Sequence, residues 1–343
     1  MSRPDITAYD RAGLEHVLAE MGEPRYRARQ VLRWLWARDA SSFEEMTDLP
    51  AALRTALAER FVIGRPELVA RETSRDGTRK YLWRLADGAA VESVGIPSAG
   101  RLTVCFSTQA GCAMGCAFCA TGASGLTRSL HAGEMAAQVA GVARDFRTRA
   151  SNAVAMGQGE PFANYDATLS ALRILNDRDA FGIGARHITV STCGIIPGIE
   201  RFSSEPEQFT LAVSLHSAVQ ETRDRLMPGV RRYPLPALKT ALTQYFVRTG
   251  RRPTLEVALI SGVNDTDEEI AALVEFCSGL HAHVNLIPMN PVGEIALARS
   301  TDERIRRALK ELTAAGIETS VRTERGADIS AACGQLRQRV VGP

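Results

Sequence analysis

Lysine is nearly missing from this chain of 343 residues: of 41 basic side chains, only Lys80, Lys239 and Lys310 are lysine. The rest are arginine, which grips phosphate with two parallel hydrogen bonds and stacks on bases. A GC-rich genome encodes the same bias, so the two explanations stand side by side. Strong charge of either sign is also lacking. A net charge of +2 excludes a polycation that holds nucleic acid by charge alone. No apolar run approaches the 18 residues of a membrane span, and Met1-Ser-Arg-Pro-Asp-Ile has no apolar stretch of the signal-peptide kind. There is no internal repeat and no low-complexity tract. With 45% hydrophobic and 23% charged residues, the chain reads as an ordinary globular protein. The expectation is a cytoplasmic monomer without a membrane partner. Its seven cysteines then belong to a reducing compartment, as metal ligands or reactive thiols rather than staples.

Three of them are close together. Cys112, Cys116 and Cys119 lie in Gln109–Gly122, QAGCAMGCAFCATG, at C-x3-C-x2-C spacing. Thiolates so near in sequence can converge on a soft metal centre. Structural zinc takes four protein ligands, and iron–sulfur clusters are normally held by four cysteines. No fourth partner follows nearby. Three ligands on a four-iron cluster leave one iron open, where substrate chemistry can happen. A zinc knot with a distant fourth ligand is the alternative that spacing leaves.

Strand-like and helix-like segments alternate from about 101 to 325. Strands are expected at Leu102–Ser107, Asn152–Met156, His187–Thr192, Thr210–Leu215, Thr254–Ile260 and Val284–Pro288, with a seventh at Glu318–Arg322. Helices are expected at Ala132–Phe146, Tyr165–Asn176, Pro236–Val247, Asp265–Leu280 and Asp302–Ala315. Short strands rich in valine and isoleucine suit burial on both faces, and the alternation implies parallel units with right-handed crossovers. The fold class is α/β, a partial (β/α)6-type barrel. Such a barrel carries its chemistry at the C-terminal strand ends, and the three cysteines follow the first strand directly.

Residues 1–75 read as a helical accessory domain, with helices at Ala12–Met21, Arg25–Arg38 and Ala51–Phe61. Arg25, Arg27, Arg29, Arg33 and Arg38 alternate with Tyr26, Trp34 and Trp36. That mixture can hold RNA by phosphate contact and stacking, or can be a helix with core tryptophans and a solvated basic face. At 76–100, Arg79–Leu85 and Ala89–Ile96 flank Asp87-Gly88 as a β-hairpin linker. The barrel core then spans 101–325, and a tail spans 326–343.

The C-x3-C-x2-C run with Phe118 before its last cysteine resembles the signature of the radical S-adenosylmethionine enzymes. That resemblance implies one [4Fe-4S] cluster on Cys112, Cys116 and Cys119. In that superfamily the open iron chelates S-adenosylmethionine, and an electron splits it into methionine and a 5′-deoxyadenosyl radical. Further motifs are similar to one family within it, the RlmN type, which methylates carbon 2 of an adenine in large-subunit (23S) ribosomal RNA. They are Tyr26-Arg-Ala-Arg-Gln30, Phe43-Glu-Glu-Met-Thr-Asp48 and the tail Arg325-Gly-Ala-Asp-Ile-Ser-Ala-Ala-Cys-Gly-Gln335.

The resemblance assigns roles residue by residue. Cys333 matches the methyl carrier, Cys105 the second catalytic cysteine, and Glu92 the proton-accepting carboxylate. Gly159 and Glu160 in Gly157-Gln-Gly-Glu-Pro161, then Ser191, Ser214, Leu215, His216 and Asn290, match the S-adenosylmethionine site. Read alone, these are caps, turns and a structural histidine. Gln158 stands where many relatives carry methionine. Cys193 and Cys277 match no family site and read as core residues.

Adenine carbon 2 is electron-poor and no nucleophile, so transfer of a methyl cation cannot work there. The resemblance implies a route through two S-adenosylmethionines per turnover. Cys333 thiolate takes a methyl group by displacement. The radical removes a hydrogen from it, and the methylene radical adds to the ring. Cys105 then attacks the Cys333 sulfur, and a transient disulfide releases the base. A flavodoxin-like or other reductant is implied as electron donor, and tRNA as a second substrate. The sister Cfr type, a resistance enzyme acting on carbon 8 of the same adenine, uses the same cysteines. A metal-stabilised RNA-binding protein without catalysis is the other alternative; it leaves Cys105, Cys333 and Glu92 unexplained.

Overall fold

The computed structural model describes residues 3–289, 297–323 and 325–329. Three helices lead: α1 (Arg11–Glu20), α2 (Tyr26–Leu32) and α3 (Ala51–Arg60). The helix expected over Arg25–Arg38 is not uniform. After Leu32 it widens into a π turn over Arg33–Ala37, closed by Arg38 N–H on the Arg33 carbonyl at 2.9 Å. Such a bulge rotates the residues beyond it, and Trp36 ends up buried against Phe181 with ring centroids 5.5 Å apart.

The strands follow as β1 (Glu67–Thr73), β2 (Arg79–Arg84), β3 (Ala90–Ser98), β4 (Arg101–Cys105), β5 (Gln109–Gly111), β6 (Leu126–Ser129), β7 (Asn152–Ala155), β8 (Ile188–Thr192), β9 (Thr210–Ser214), β10 (Thr254–Leu259), β11 (His283–Pro288) and β12 (Thr319–Val321). The helices among them are α4 (Ala120–Ala123), α5 (Ala132–Phe146), α6 (Tyr165–Asn176), α7 (Ile196–Phe202), α8 (Gln220–Leu226), α9 (Leu235–Thr249), α10 (Asp267–Cys277) and α11 (Asp302–Ala314). Side-chain caps start several of them: His131 and Glu134 form a reciprocal box on α5, and Thr266 and Thr301 cap α10 and α11.

One sheet holds ten strands in the order β1-β2-β3-β4-β7-β8-β9-β10-β11-β12, and β5 pairs with β6 apart from it. From β4 to β12 the pairing is parallel, as the alternation predicts. The hairpin expected at 76–100 forms, but it is no free-standing linker. With β1 ahead of it, it extends the barrel sheet by three antiparallel strands, β3 pairing with β4.

Burial on both faces holds for only one side of most strands. Leu102 and Val104, Ala153 and Ala155, Ile188 and Val190, Val284 and Leu286 are buried, while the residues between them are half-open. The buried set packs under the helices. The other face is largely polar, with Val154 among the polar residues: the register aligns Cys105 with Val154, Val154 with Thr189, Ser214 with Glu256, and Glu256 with Asn285. That polar concave face is where a ligand can lie. The N-terminal helices share one continuous apolar core with the barrel, from Ile6 and Leu14 through Val104 to Leu312. Charge ties the same junction, because Asp179 accepts from Arg11, Arg29 and Arg33 at 2.7, 3.0 and 2.7 Å. No helix among the described residues is long and apolar enough to cross a membrane.

Candidate active site

The cysteine loop is pinned on two sides. At its base, Cys112 N–H donates to the Gly125 carbonyl at 2.8 Å. Gly111, at φ 81°, lies so near that a Cβ there would meet the Gly125 oxygen at 2.1 Å. On the far side, Ala117 N–H donates to the Leu226 carbonyl (2.9 Å) at the end of α8, and Gly229 N–H donates to the Met114 carbonyl (3.0 Å). Cys112, Cys116 and Cys119 all line one cavity of about 230 Å3, beneath Phe118.

The donor set fits an iron–sulfur cluster. Three soft thiols stand on the cavity wall, and among the described residues no three His, Cys, Asp or Glu side chains close around a single ion. Burial pushes the Cys112 thiol up to about 12, so it becomes a ligand only by losing its proton to metal. Cys116 is shifted the other way, chiefly because the Cys193 thiol hydrogen-bonds to it; the same bond holds Cys193 in its protonated form. Cys193 is therefore not the core residue expected: it lines the cavity beside the Cys116 thiol. Cys277 is a core residue as expected.

The strand ends supply the rest of the wall. Gly157 and Gly159 pass so close to the Phe106–Gln109 backbone that a Cβ on either would sit 2.6–2.8 Å from it or from Gln109. Gly159 also needs φ 101°, open only to glycine in practice. Glu160 is buried; its carboxylate accepts from Phe162 N–H at 2.9 Å and Cys193 N–H at 2.6 Å. Burial raises its pKa. The Thr192 hydroxyl and the Cys193 thiol also hydrogen-bond to the carboxylate. Ser191, Ser214 and His216 line the same cavity. His216 holds φ 57°, and its Nδ1 accepts from Ala258 N–H at 3.0 Å, leaving the proton on Nε2. Burial, with Arg223 nearby, depresses its pKa to about 3, so the ring is neutral. Leu215 does not reach the cavity with its side chain, which is buried in the core; its N–H bonds to the Glu256 carbonyl at 3.0 Å.

Glu92 and Cys105 lie on one side of the sheet. Val94 pairs with Cys105 and with Lys80, so Glu92, two residues along β3, shares their side of the sheet. Asn290 and Cys333 lie outside the described residues.

Residues 5–63 match the model for the N-terminal domain of ribosomal RNA large subunit methyltransferases, and residues 106–277 match the radical SAM superfamily. The probable dual-specificity RNA methyltransferase RlmN of Gemmatimonas aurantiaca is 46% identical, with 99% of this chain and 94% of the relative aligned. The chain belongs to the RlmN family of radical SAM methyltransferases.

The RlmN relative of Pelotomaculum thermopropionicum is 49% identical over 96% of this chain and 90% of its own. A crystal structure of a radical SAM methyltransferase from Sphaerobacter thermophilus superposes with a TM-score of 0.90 at 47% identity, covering 97% of this chain and 98% of the other.

Several residues escape a reading of motifs. Glu256 lines the cavity, held by Asn285 Nδ2 at 2.8 Å and raised in pKa by burial. An acid inside the apolar strand Thr254–Leu259 was the available signal. Arg322 lines the wall as well. Gln158 matters more than its place in a glycine turn implies: its side chain is buried, and neither amide atom has a hydrogen-bond partner among the described residues.

The arginine and aromatic mixture divides. Trp36 is core, Trp34 Nε1 bonds to Asp48 at 2.6 Å with Arg38 stacked over its ring, and Arg29 and Arg33 go to Asp179. Tyr26 and Arg25 remain exposed.

Proposed function

We propose that this RlmN-family chain methylates carbon 2 of an adenosine in 23S ribosomal RNA, and an adenosine in tRNA, through a methyl group carried on Cys333. The reading rests on one observation. The three cysteines, Glu160, Ser191, Ser214 and His216 line a single cavity, and Cys105 and Glu92 lie on one side of the same sheet. Cys112, Cys116 and Cys119 would hold a [4Fe-4S] cluster. When bound, that group supplies the electron that cleaves S-adenosylmethionine to a 5′-deoxyadenosyl radical.

The chain's own residues do the remainder. Gly159 allows the ligand close to the backbone, and Glu160 accepts from its amino group. Ser191, Ser214, neutral His216 and Asn290 orient the rest. Glu92 takes the proton from the ring carbon, and Cys105 resolves the bond to Cys333 as a disulfide. A first S-adenosylmethionine gives the methyl group, and a second gives the radical. A small reductant of the flavodoxin kind delivers the electron. Carbon 2 is favoured over the carbon 8 of the Cfr type because the curated relatives aligned over nearly the whole chain are RlmN proteins.

Nucleoside mass spectrometry tests this. Reconstituted protein is incubated anaerobically with unmodified ribosomal RNA, S-adenosylmethionine and a reductant, and the RNA is digested. Methyladenosine co-eluting with the carbon-2 standard is expected. Co-elution with the carbon-8 standard transfers the chain to the sister activity. A brown sample that cleaves S-adenosylmethionine but leaves adenosine unmethylated refutes the substrate.

A further inference from the structure

Arg223, on α8, has no solvent exposure. Its side chain makes one hydrogen bond, from Nη2 to the Cys193 carbonyl at 2.7 Å. Nε and Nη1 are buried with no hydrogen-bond partner among the described residues, and the one carboxylate that acts on it, Asp224 on the same helix, does so through space and not by a hydrogen bond. A buried, unpaired guanidinium is among the costliest groups a fold can carry, and arginine does not escape by losing its proton. Something at this position must take up its charge.

Its neighbours say what. Three residues on, the Leu226 carbonyl holds Ala117 N–H of the cysteine loop. On the other side runs the segment Cys193-Gly194, where a Cβ on Gly194 would stand 2.9 Å from Nη2. The guanidinium is thus wedged between the cysteine loop and the end of β8. The carbonyl it holds belongs to Cys193, whose residue lines the cavity together with Cys112, Cys116, Cys119 and His216. A [4Fe-4S] core with three thiolates is a net anion, and one-electron reduction makes it more negative.

We propose that Arg223 is the buried counter-charge of the cluster, a positioning residue whose fixed cation makes reduction of the cluster easier. The inference rests on the reading of Cys112, Cys116 and Cys119 as cluster ligands. Nearby positive charge in a low dielectric raises a reduction potential, so loss of this charge must lower it.

The test is an EPR-monitored redox titration of full-length, anaerobically reconstituted protein, as wild type, Arg223→Gln and Arg223→Lys, each with iron and sulfide counted. In Arg223→Gln the equilibrium constant for one-electron reduction should fall at least tenfold, a shift of ~59 mV to lower potential. Arg223→Lys, which keeps the charge and loses the fork, should stay within about threefold of wild type on the same scale. An unchanged potential in Arg223→Gln overturns the proposal, as does Arg223→Lys shifting as far as Arg223→Gln. If Arg223→Gln fails to fold, Arg223→Met takes its place: a fall of at least tenfold supports the proposal and an unchanged potential ends it. Failure of both variants to hold a cluster while folded also overturns it, because shape and not charge is then the requirement. A wild-type sample with no cluster signal defeats the cluster reading itself, which is a separate result.

Discussion

Lys80 Nζ lies 3.1 Å from Glu92 Oε2, and both side chains are buried, at 0% and 3% exposure. One of only three lysines in the chain is therefore spent on the carboxylate proposed as proton acceptor. An ion pair so enclosed is costly to break from one side. Lys80→Met should destabilise the protein by ~3–5 kcal/mol, read from urea unfolding, while Lys80→Met combined with Glu92→Leu should recover most of that loss. If the single variant unfolds like wild type, the pair carries no such weight.

His216 sets an acid limit on stability. Its pKa is depressed to about 3 in the fold against ~6.5 in the unfolded chain. The unfolded state thus binds the extra proton first as pH falls. The contribution is intact above ~6.5 and drains away towards the folded value, at roughly 1.4 kcal/mol per pH unit. His216→Gln, whose amide oxygen can still accept from Ala258 N–H, should flatten the fall in unfolding free energy between pH 6.5 and 4 (~2.5 units of titration). Equal slopes in variant and wild type would assign the fall to other groups.

Gln158 is a liability that a single change should remove. Each orphaned buried polar atom costs ~1–3 kcal/mol, and both atoms of this amide are orphaned among the described residues. Gln158→Met, close in volume, should raise stability by ~1–3 kcal/mol. Calorimetry checks it; a lower melting temperature would mean that the amide has a bound partner in solution.

Asp179 carries the junction between the N-terminal helices and the barrel. Its three arginine partners hold its carboxyl well below the usual carboxylate range. Asp179→Ala should cost ~2–3 kcal/mol, since hydrogen bonds to charged groups are the stronger ones. It should also expose Arg29 and Arg33 to trypsin. Unchanged digestion at those sites would show that the shared apolar core alone holds the junction.

The barrel was legible because local composition and packing agree in it. Ile188–Thr192 and Thr254–Leu259 are strands within one or two residues of where valine, leucine and isoleucine put them. Ala132–Phe146 and Tyr165–Asn176 are helices with the expected ends. The cysteine loop was legible because three ligands from one short segment need no long-range contact. Other features depend on partners far away in sequence. Nothing near Lys80 announces Glu92, and nothing near Cys193 announces Cys116. The π turn at Arg33–Ala37 arises where Trp36 must reach Phe181, a tertiary demand that helix propensity does not contain. Burial on both faces holds along β9 and β10 but not along β4, β7, β8 and β11, where alternate residues stay half-open on the side of the cavity.

The stitches from Ala117 to Leu226 and from Met114 to Gly229 bear on the order in which the enzyme is built. Cys112, Cys116 and Cys119 are made well before α8, and while Cys112 is held locally by Gly125, the far side of the loop is held by residues made more than a hundred positions later. A cluster on these three thiols would meet its finished site only once α8 is made. Until α8 emerges, the Ala117 N–H and the Met114 carbonyl lack the partners that fix the far side of the loop.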